Sequence, residues 1–338
     1  SILYQRNGGI FMDVVFASND NYARHLAVSM CSLMDHNQVA DRIRVFILSV
    51  NLSQENKEKL SMIAQRYARE IIFIPMGNLQ EKFPYAIETG GFDISTMSRL
   101  FIGTMLPEDV HRVLYLDCDT VVLGSLKKLY HLNLRGNIMG AVLEPTIYSS
   151  LKPALGLREN DPYFNAGVLL IDLETWRKEH VEERLLAFYQ GLGGHTFGCD
   201  QDILNGTLKG NIRVLSPRYN FFTNYRYFRY QALTDHSPSY RVVSEKNFRQ
   251  AKVHPVILHF AGDERPWKAG NLNHYRRAYE QYLAMTPWQG TKKEGDGKQK
   301  IYLFAYHMMD WITWFFPAVR WWISKKFGMK AVENRKRG

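Results

Sequence analysis

In the first half of the chain, short apolar runs alternate with stretches of helical spacing, and few folds accommodate that order. Residues 14–17 are apolar and end in Ser18-Asn19-Asp20-Asn21, after which Leu26, Met30, Leu33 and Met34 recur at helical intervals. Residues 44–50 predict a second strand. Ser53 and Asn56 open a polar helix to about residue 69, with Leu60, Ile63, Ala64 and Tyr67 on one side, and 71–74 is a third strand closed by Pro75. Strands that alternate with helices predict a largely parallel sheet. A helix over 95–106, capped near Asp93 or Ser95 and stopped before Pro107, leads into a buried strand at 112–116. Beyond it the pattern predicts strands at 138–143, 167–172 and 256–260, with helices at about 181–189 and 201–208.

The strand at 112–116 runs straight into Asp117-Cys118-Asp119. Alternation places the two carboxylates on one side, at the carboxyl end of a parallel strand, where open α/β sheets bind ligands. Hard oxygen ligands suit Mg²⁺ or Mn²⁺, which in turn bind a diphosphate. The plain alternative is two acids in a solvated turn. His259, in the string HFAGDERPW, would complete an Asp/Asp/His site whose imidazole favours Mn²⁺ over Mg²⁺. Standing alone, it reads as a satisfied core or turn histidine. In the same string Gly262 permits close backbone approach to phosphate, and Arg265 and Lys268 supply positive charge. Asn165, before an apolar run, and Asp200-Gln201-Asp202, at the head of a helical one, read by themselves as a turn former and a helix cap.

Charge divides the chain. Residues 292–338 hold eleven Lys/Arg against four Asp/Glu, which leaves +3 of the net +10 for everything before them. A nearly neutral body with a basic tail gives no reason to expect a nucleic-acid partner. The stretch 291–300 (TKKEGDGKQK) reads as a linker. Residues 301–323 are rich in Trp, Tyr and Phe but interrupted by His307, Asp310, Pro317 and Arg320, too short a run to span a bilayer. Lys325, Lys326, Lys330, Arg335, Lys336 and Arg337 follow. Interfacial aromatics beside a polybasic flank suit an anionic membrane surface; packing on the catalytic body and docking of a protein acceptor are the alternatives. Cys31, Cys118 and Cys199 form no metal pattern and fit reduced thiols, and residues 1–11 show no sustained apolar run, so a cytoplasmic location, peripheral on the inner face of the membrane, is expected. The division read from the sequence is an extension over 1–11, a catalytic domain over 12–288, and a linker and membrane- or partner-associating tail over 289–338.

The ordered strings FASNDNY, ISTMSRL, VLYLDCDTVVL, YFNAGVLLIDLETW, CDQDILN and HFAGDERPW resemble glycosyltransferase family 8, and within it the bacterial lipooligosaccharide galactosyltransferases, over about residues 12–288. The resemblance implies an α/β GT-A fold, Rossmann-like, with a mostly parallel central sheet flanked by helices, here followed by a helical, aromatic and basic C-terminal extension. It implies transfer of a hexose, galactose ahead of glucose, from a UDP-sugar to a hydroxyl of a glycan, glycolipid or glycoprotein, with retention and with Mn²⁺ (or Mg²⁺) as cofactor. By the same resemblance Asp117, Asp119 and His259 hold the metal. Ala17, Ser18, Asn19, Asn21 and Tyr22 hold uridine and ribose, the backbone of Cys118 touches the nucleotide, and Gly262 and Arg265 contact the diphosphate. Arg99, Asn165, Asp200 and Gln201 surround the sugar, with Glu144 near the acceptor.

Three positions depart from the family pattern. Asn19 stands where Asp meets the uracil, although an amide still pairs with the base edge. Arg265 replaces Lys, and Glu144 replaces Asp. The family position against the anomeric carbon is Gln201, a feeble nucleophile, so same-face attack is expected, with the Gln201 carbonyl dipole stabilising positive charge. Asp202 is the carboxylate a double displacement would use. A non-catalytic carbohydrate-binding protein on the same fold is the competing reading, and intact Asp117, Asp119, His259 and Gln201 argue against it. A nucleotide-sugar pyrophosphorylase would carry a glycine-rich loop after its first strand, where this chain has SNDNY.

Overall fold

The computed structural model describes residues 9–89, 92–147, 149–262, 264–295 and 297–328. Residues 1–8 of the expected N-terminal extension, and Lys330, Arg335, Lys336 and Arg337 of the basic tail, lie outside the described residues. The strands are β1 (Phe11–Ser18), β2 (Arg42–Ser49), β3 (Glu70–Pro75), β4 (Arg112–Leu116), β5 (Thr120–Val122), β6 (Met139–Leu143), β7 (Phe164–Asp172), β8 (Ile212–Val214), β9 (Phe221–Phe222) and β10 (Ile257–His259). A seven-stranded sheet has the order β3-β2-β1-β4-β7-β6-β8, and a small sheet the order β5-β10-β9. Strands β1 to β4 pair in parallel, as do β6 and β8, and β7 alone opposes its neighbours β4 and β6. The apolar runs of the sequence are these buried strands, with β1 and β2 covered on both faces as parallel strands require.

The strand order reverses at β1, since β2 lies on one side of it and β4 on the other. At such a switch point the connections leave in opposite directions and a crevice opens at the carboxyl ends of the strands. Ser18 ends β1 and Leu116 ends β4, so the loops that follow both strands border that crevice.

Helix Ala23–His36 packs an almost wholly buried surface, and helix Gln54–Arg66 buries Leu60, Ile63 and Ala64 beneath a cap in which Ser53 accepts from Asn56 N–H. The helix expected over 95–106 instead winds as a 3₁₀ turn, Ile94–Phe101, before one α turn, Ile102–Met105. An eight-residue 3₁₀ run is unusual. It carries Arg99 inward to 4% exposure, where the side chain takes its partners from β4, β7 and a later helix rather than from water.

Asp13 and Arg44 face each other across β1 and β2. Arg44 makes a bidentate contact with Asp13 at 2.6 and 2.9 Å and a third bond to Asp109 at 2.6 Å. Asp13 is 2% exposed, so its charge depends on that partner. Arg44→Ala is expected to destabilise the fold by about 3 kcal/mol, because removing one member leaves a buried charge uncompensated. Urea denaturation followed by circular dichroism measures it; a midpoint equal to wild type would contradict the role given to the pair.

The C-terminal segment forms helices Gly297–Phe315 and Pro317–Ile323. The stretch read as a linker is fastened: Glu294 N–H donates to Trp267 O, Ala269 N–H donates to Glu294 O, and the Glu294 carboxylate pairs with Arg24. One face of the tail packs inward. Leu303, Asp310, Thr313 and Arg320 are buried, and Trp321 stacks on His236 with centroids 4.0 Å apart. The other face leaves Trp311, Phe316 and Trp322 about 60% exposed. Among the described residues no helix is long and apolar enough to cross a membrane.

Candidate active site

Strand β4 delivers Asp117 to the crevice. Thr120 closes the turn by donating from N–H and Oγ1 to Asp117 O, at 3.3 and 2.8 Å, and this swings Asp119 onto the same side. The intervening Cys118 turns the other way and donates Sγ–H to Ala17 O at 3.1 Å. Strand β5 then pairs antiparallel with β10, Thr120 opposite His259. That pairing brings the distant imidazole to the acids: His259 Nε2 lies 3.1 Å from Asp119 Oδ1 and 3.9 Å from Asp117 Oδ2.

The tautomer of His259 follows from its other nitrogen. Asn220 Nδ2 donates to Asn165 Oδ1 at 2.7 Å, so Asn220 Oδ1 is an acceptor and receives His259 Nδ1–H at 2.8 Å. Nε2 is therefore the ring nitrogen that faces the two carboxylates. Burial would lower the His259 pKa, but the charges of Asp119 and Asp117 outweigh it and raise it. Burial would likewise raise Asp119, yet His259 and Arg265 hold it below the carboxylate range. Asp117, Asp119 and His259 bring two carboxylates and an imidazole within reach of one point, and these mixed oxygen and nitrogen donors fit a divalent ion such as Mn²⁺.

On the opposite wall Arg99 bonds Asp117 Oδ1 at 2.8 Å, Asp200 Oδ2 at 2.9 Å and Ala166 O at 2.5 Å. Burial pushes Asp200 up to about 6 against the pull of Arg99. Asn165 Nδ2 donates to Glu144 at 3.0 Å and to Gln201 Oε1 at 2.8 Å, so a continuous relay links His259, Asn220, Asn165 and Gln201. The amide of Gln201 is fully engaged. Its oxygen also accepts from Ala166 N–H at 3.0 Å, and its nitrogen donates to Glu144 at 2.9 Å and Tyr163 at 3.2 Å. The carbonyl expected to face positive charge thus faces Asn165 and Ala166, and contact with a sugar requires it to exchange one of these bonds. Asp202 turns away: it accepts from Tyr163 Oη at 2.5 Å and Gly198 N–H at 2.6 Å and is 2% exposed, a structural anchor. The helix bearing these residues, Asp200–Thr207, begins after Cys199 at φ +53° and is pinned to β7 by Asn205, which bonds both N–H and C=O of Phe164.

At the end of β1, Ala17 and Ser18 are buried and Asn19 caps the turn Asp20–Tyr22 by accepting from Tyr22 N–H at 3.1 Å. Asn19 Nδ2 donates to Asp93 at 2.6 Å, and Asn21 is exposed on the same turn. Arg265 joins this loop to the acids, donating to Tyr22 Oη at 3.1 Å and standing 4.0 Å from Asp119 Oδ2. Gly262 has φ +98°, a conformation that disfavours any side chain. Lys268 forms a backbone bridge with Glu294. Sequence reasoning gave no site role to Asn220, to Tyr163, to Tyr115, whose Oη donates to Asp117 Oδ1 at 3.0 Å, or to Asp93, which it read only as a helix cap. Asn220 carries no local signal, because it meets His259 only through the pairing of β9 with β10.

A mostly parallel α/β sheet with two carboxylates and an imidazole gathered at its switch point has the architecture of a GT-A glycosyltransferase, the fold it shares with the galactosyltransferase structure described below. The family model for Glycosyl transferase family 8 matches residues 13–270, and the chain belongs to that family. It is 28% identical over 280 residues to General stress protein A of Bacillus subtilis (strain 168), covering 82% of this chain and 94% of that protein. It is 24% identical over 287 residues to the lipopolysaccharide 1,2-glucosyltransferase of Escherichia coli (strain K12), covering 82% and 79%. Among solved structures it is similar to the galactosyltransferase LgtC in complex with donor and acceptor sugar analogues, with TM-score 0.69, 27% identity, and 82% and 96% of the two chains covered. The fold and family expected from the six strings are borne out.

Proposed function

We propose that this enzyme moves a hexose, galactose in the favoured reading, from a UDP-sugar to a hydroxyl of a glycan, glycolipid or glycoprotein, with retention, and that it requires a divalent cation, Mn²⁺ ahead of Mg²⁺, at Asp117, Asp119 and His259. The observation that supports it most is the convergence of His259 Nε2 and two carboxylates at the β1/β4 crevice. Bound there, the ion supplies a Lewis acid for the charge that develops on the leaving diphosphate. Arg265, between Tyr22 and Asp119, adds positive charge beside the same oxygens, and Gly262 lets the backbone approach them. Ala17, Ser18, Asn19, Asn21 and Tyr22, with the backbone of Cys118, receive the nucleoside. Arg99, Asp200, Asn165 and Gln201 orient the sugar. With an amide at Gln201 and with Asp202 committed to Tyr163 and Gly198, same-face attack is the preferred course. The acceptor oxygen bonds the anomeric carbon as the bond to UDP breaks, and its proton passes to a UDP oxygen.

The likeness to LgtC favours galactose, and the likeness to a glucosyltransferase makes UDP-glucose the alternative donor. The full chain should release UDP faster from UDP-galactose than from UDP-glucose with Mn²⁺ and stop in EDTA, and proton NMR of the glycosylated product should show the donor's anomeric configuration. EDTA-indifferent turnover or an inverted linkage would refute the proposal.

The tail reading stands beside it: peripheral attachment to an anionic membrane through Trp311, Phe316 and Trp322, with Lys325 and Lys326 adjoining them. Each Lys or Arg near such a surface contributes about 1 kcal/mol, and salt weakens the attraction. Because Trp321 packs inward, the informative variant changes only the exposed rings. Full-length protein should sediment with anionic vesicles at low salt, and Trp311→Ser/Phe316→Ser/Trp322→Ser should stay in the supernatant. Equal sedimentation would leave the exposed face without this role.

A further inference from the structure

Where the C-terminal helix Gly297–Phe315 crosses the loop after β10, a second group of metal-ligating side chains comes together. Glu264 belongs to the loop between Gly262 and Arg265, and His307 and Asp310 lie three residues apart on the helix. Their ligand atoms all fall within 4.8 Å of one another, and His307 Nδ1 is 3.2 Å from Glu264 Oε1. Donors about 2.1 Å from a shared ion, at angles near 90–110°, stand roughly 3.0–3.4 Å apart, so this pair already has the spacing of a coordination edge. Asp310 is 1% exposed; Arg320 pairs with its Oδ1, while its Oδ2 is buried with no hydrogen-bond partner among the described residues. Asn224 Oδ1 is a second buried acceptor in the same condition. Both residues line a cavity of about 10 Å³ with Glu264 and Tyr306, room for roughly one water-sized guest; His307 is not in its lining and meets it through Glu264.

Acceptor oxygens without protein donors face a space that admits one water or one cation, and the two carboxylates and the imidazole gathered beside it favour the cation. Arg320, by holding Oδ1, leaves Oδ2 for the cavity, as an outer hydrogen bond orients a ligating carboxylate. We propose that Glu264, His307 and Asp310, with Asn224 lining the adjoining cavity, form a second divalent-cation site, which ties the C-terminal helix to the loop bearing Gly262 and Arg265. It shares no ligand with the site at Asp117, Asp119 and His259 and does not rest on it. Two carboxylates, an imidazole and an amide oxygen suit Mn²⁺ or Zn²⁺.

The test counts ions on full-length protein dialysed against Mn²⁺ or Zn²⁺ with saturating UDP, read by elemental analysis. Wild type should hold two ions per chain, Asp119→Ala and His307→Ala one each, and the double variant none. Wild type should also melt at a higher temperature with metal than in EDTA, and Asp119→Ala should keep much of that shift. A folded Asp119→Ala chain that holds no ion overturns the proposal and leaves an ion-pair network of Glu264, His307, Asp310 and Arg320; it does so without touching the second cluster, even if His307→Ala fails to fold. One ion on both Asp119→Ala and the double variant would place the remaining ion elsewhere and overturn it equally.

Discussion

Asp119→Ala is expected to lower sugar transfer by roughly 10³-fold or more while the chain keeps its fold. Asp119 Oδ1 is the carboxylate oxygen 3.1 Å from His259 Nε2, so its loss removes one of three donors from a buried site. Metal stabilisation of a leaving group amounts to several kcal/mol, and each 1.36 kcal/mol is about tenfold in rate. The fold should survive, because the turn around Asp119 is held by its backbone. Phe260 N–H donates to Asp119 O at 3.0 Å, and Thr120 bonds Asp117 O. Steady-state turnover with UDP-galactose, alongside the circular dichroism spectrum, measures both halves of the prediction. A folded variant within tenfold of wild type would remove Asp119 from the metal site.

Gly167→Ala should cost nearly as much, although glycine brings no chemistry. A Cβ added there would stand 2.3 Å from His259 Cε1, 2.8 Å from Nδ1 and 2.9 Å from Asp117 Oδ2. No buried carbon tolerates such distances, so the imidazole, the carboxylate or the strand must move. Asp117 N–H is bonded to Gly167 O at 2.8 Å, which ties the two strands together and leaves the side chains to yield. Displacing His259 breaks its bond to Asn220 and frees the tautomer. A misplacement of about 1 Å is enough for about 10²-fold in rate, and overpacking adds about 1–3 kcal/mol of destabilisation. We expect kcat/KM to fall by about 10²-fold or more, with weaker Mn²⁺ binding in isothermal titration. Unchanged Mn²⁺ affinity with kcat/KM within twofold of wild type would show that the site is looser than its geometry states.

Much of the frame was legible in the order of residues. Apolar runs at 14–17, 44–50 and 112–116 are strands because a parallel sheet buried on both faces needs continuous hydrophobic stretches, and 71–74 is the half-buried edge strand beside them. The convergence of Asp117 and Asp119 was expected from strand alternation, but the structure achieves it beyond the end of β4, through the turn that Thr120 closes onto Asp117 O, with Cys118 turned away. The family resemblance rested on the same local strings. The winding of 94–101 was less legible, since the pull on Arg99 comes from Asp117, Asp200 and Ala166, none of them nearby in sequence.

The chain's own sequence therefore determined which segments are strands, where the acidic pair sits, and that the tail is aromatic and basic. Only the tertiary structure decided how these meet. His259 reaches Asp119 through the antiparallel pairing of β5 with β10, and its ring is held through Nδ1 by Asn220, beside β9. The amide of Gln201 is held by Asn165, Ala166, Glu144 and Tyr163 from other elements. In the tail, composition could not say that Trp321 packs inward while Trp322 faces out, nor that His307 and Asp310 meet Glu264. The physical reason is the same in each case. Period and propensity act over a few residues, whereas strand pairing, tautomer and burial are set by contacts between segments far apart in the chain, and those exist only once the sheet has closed.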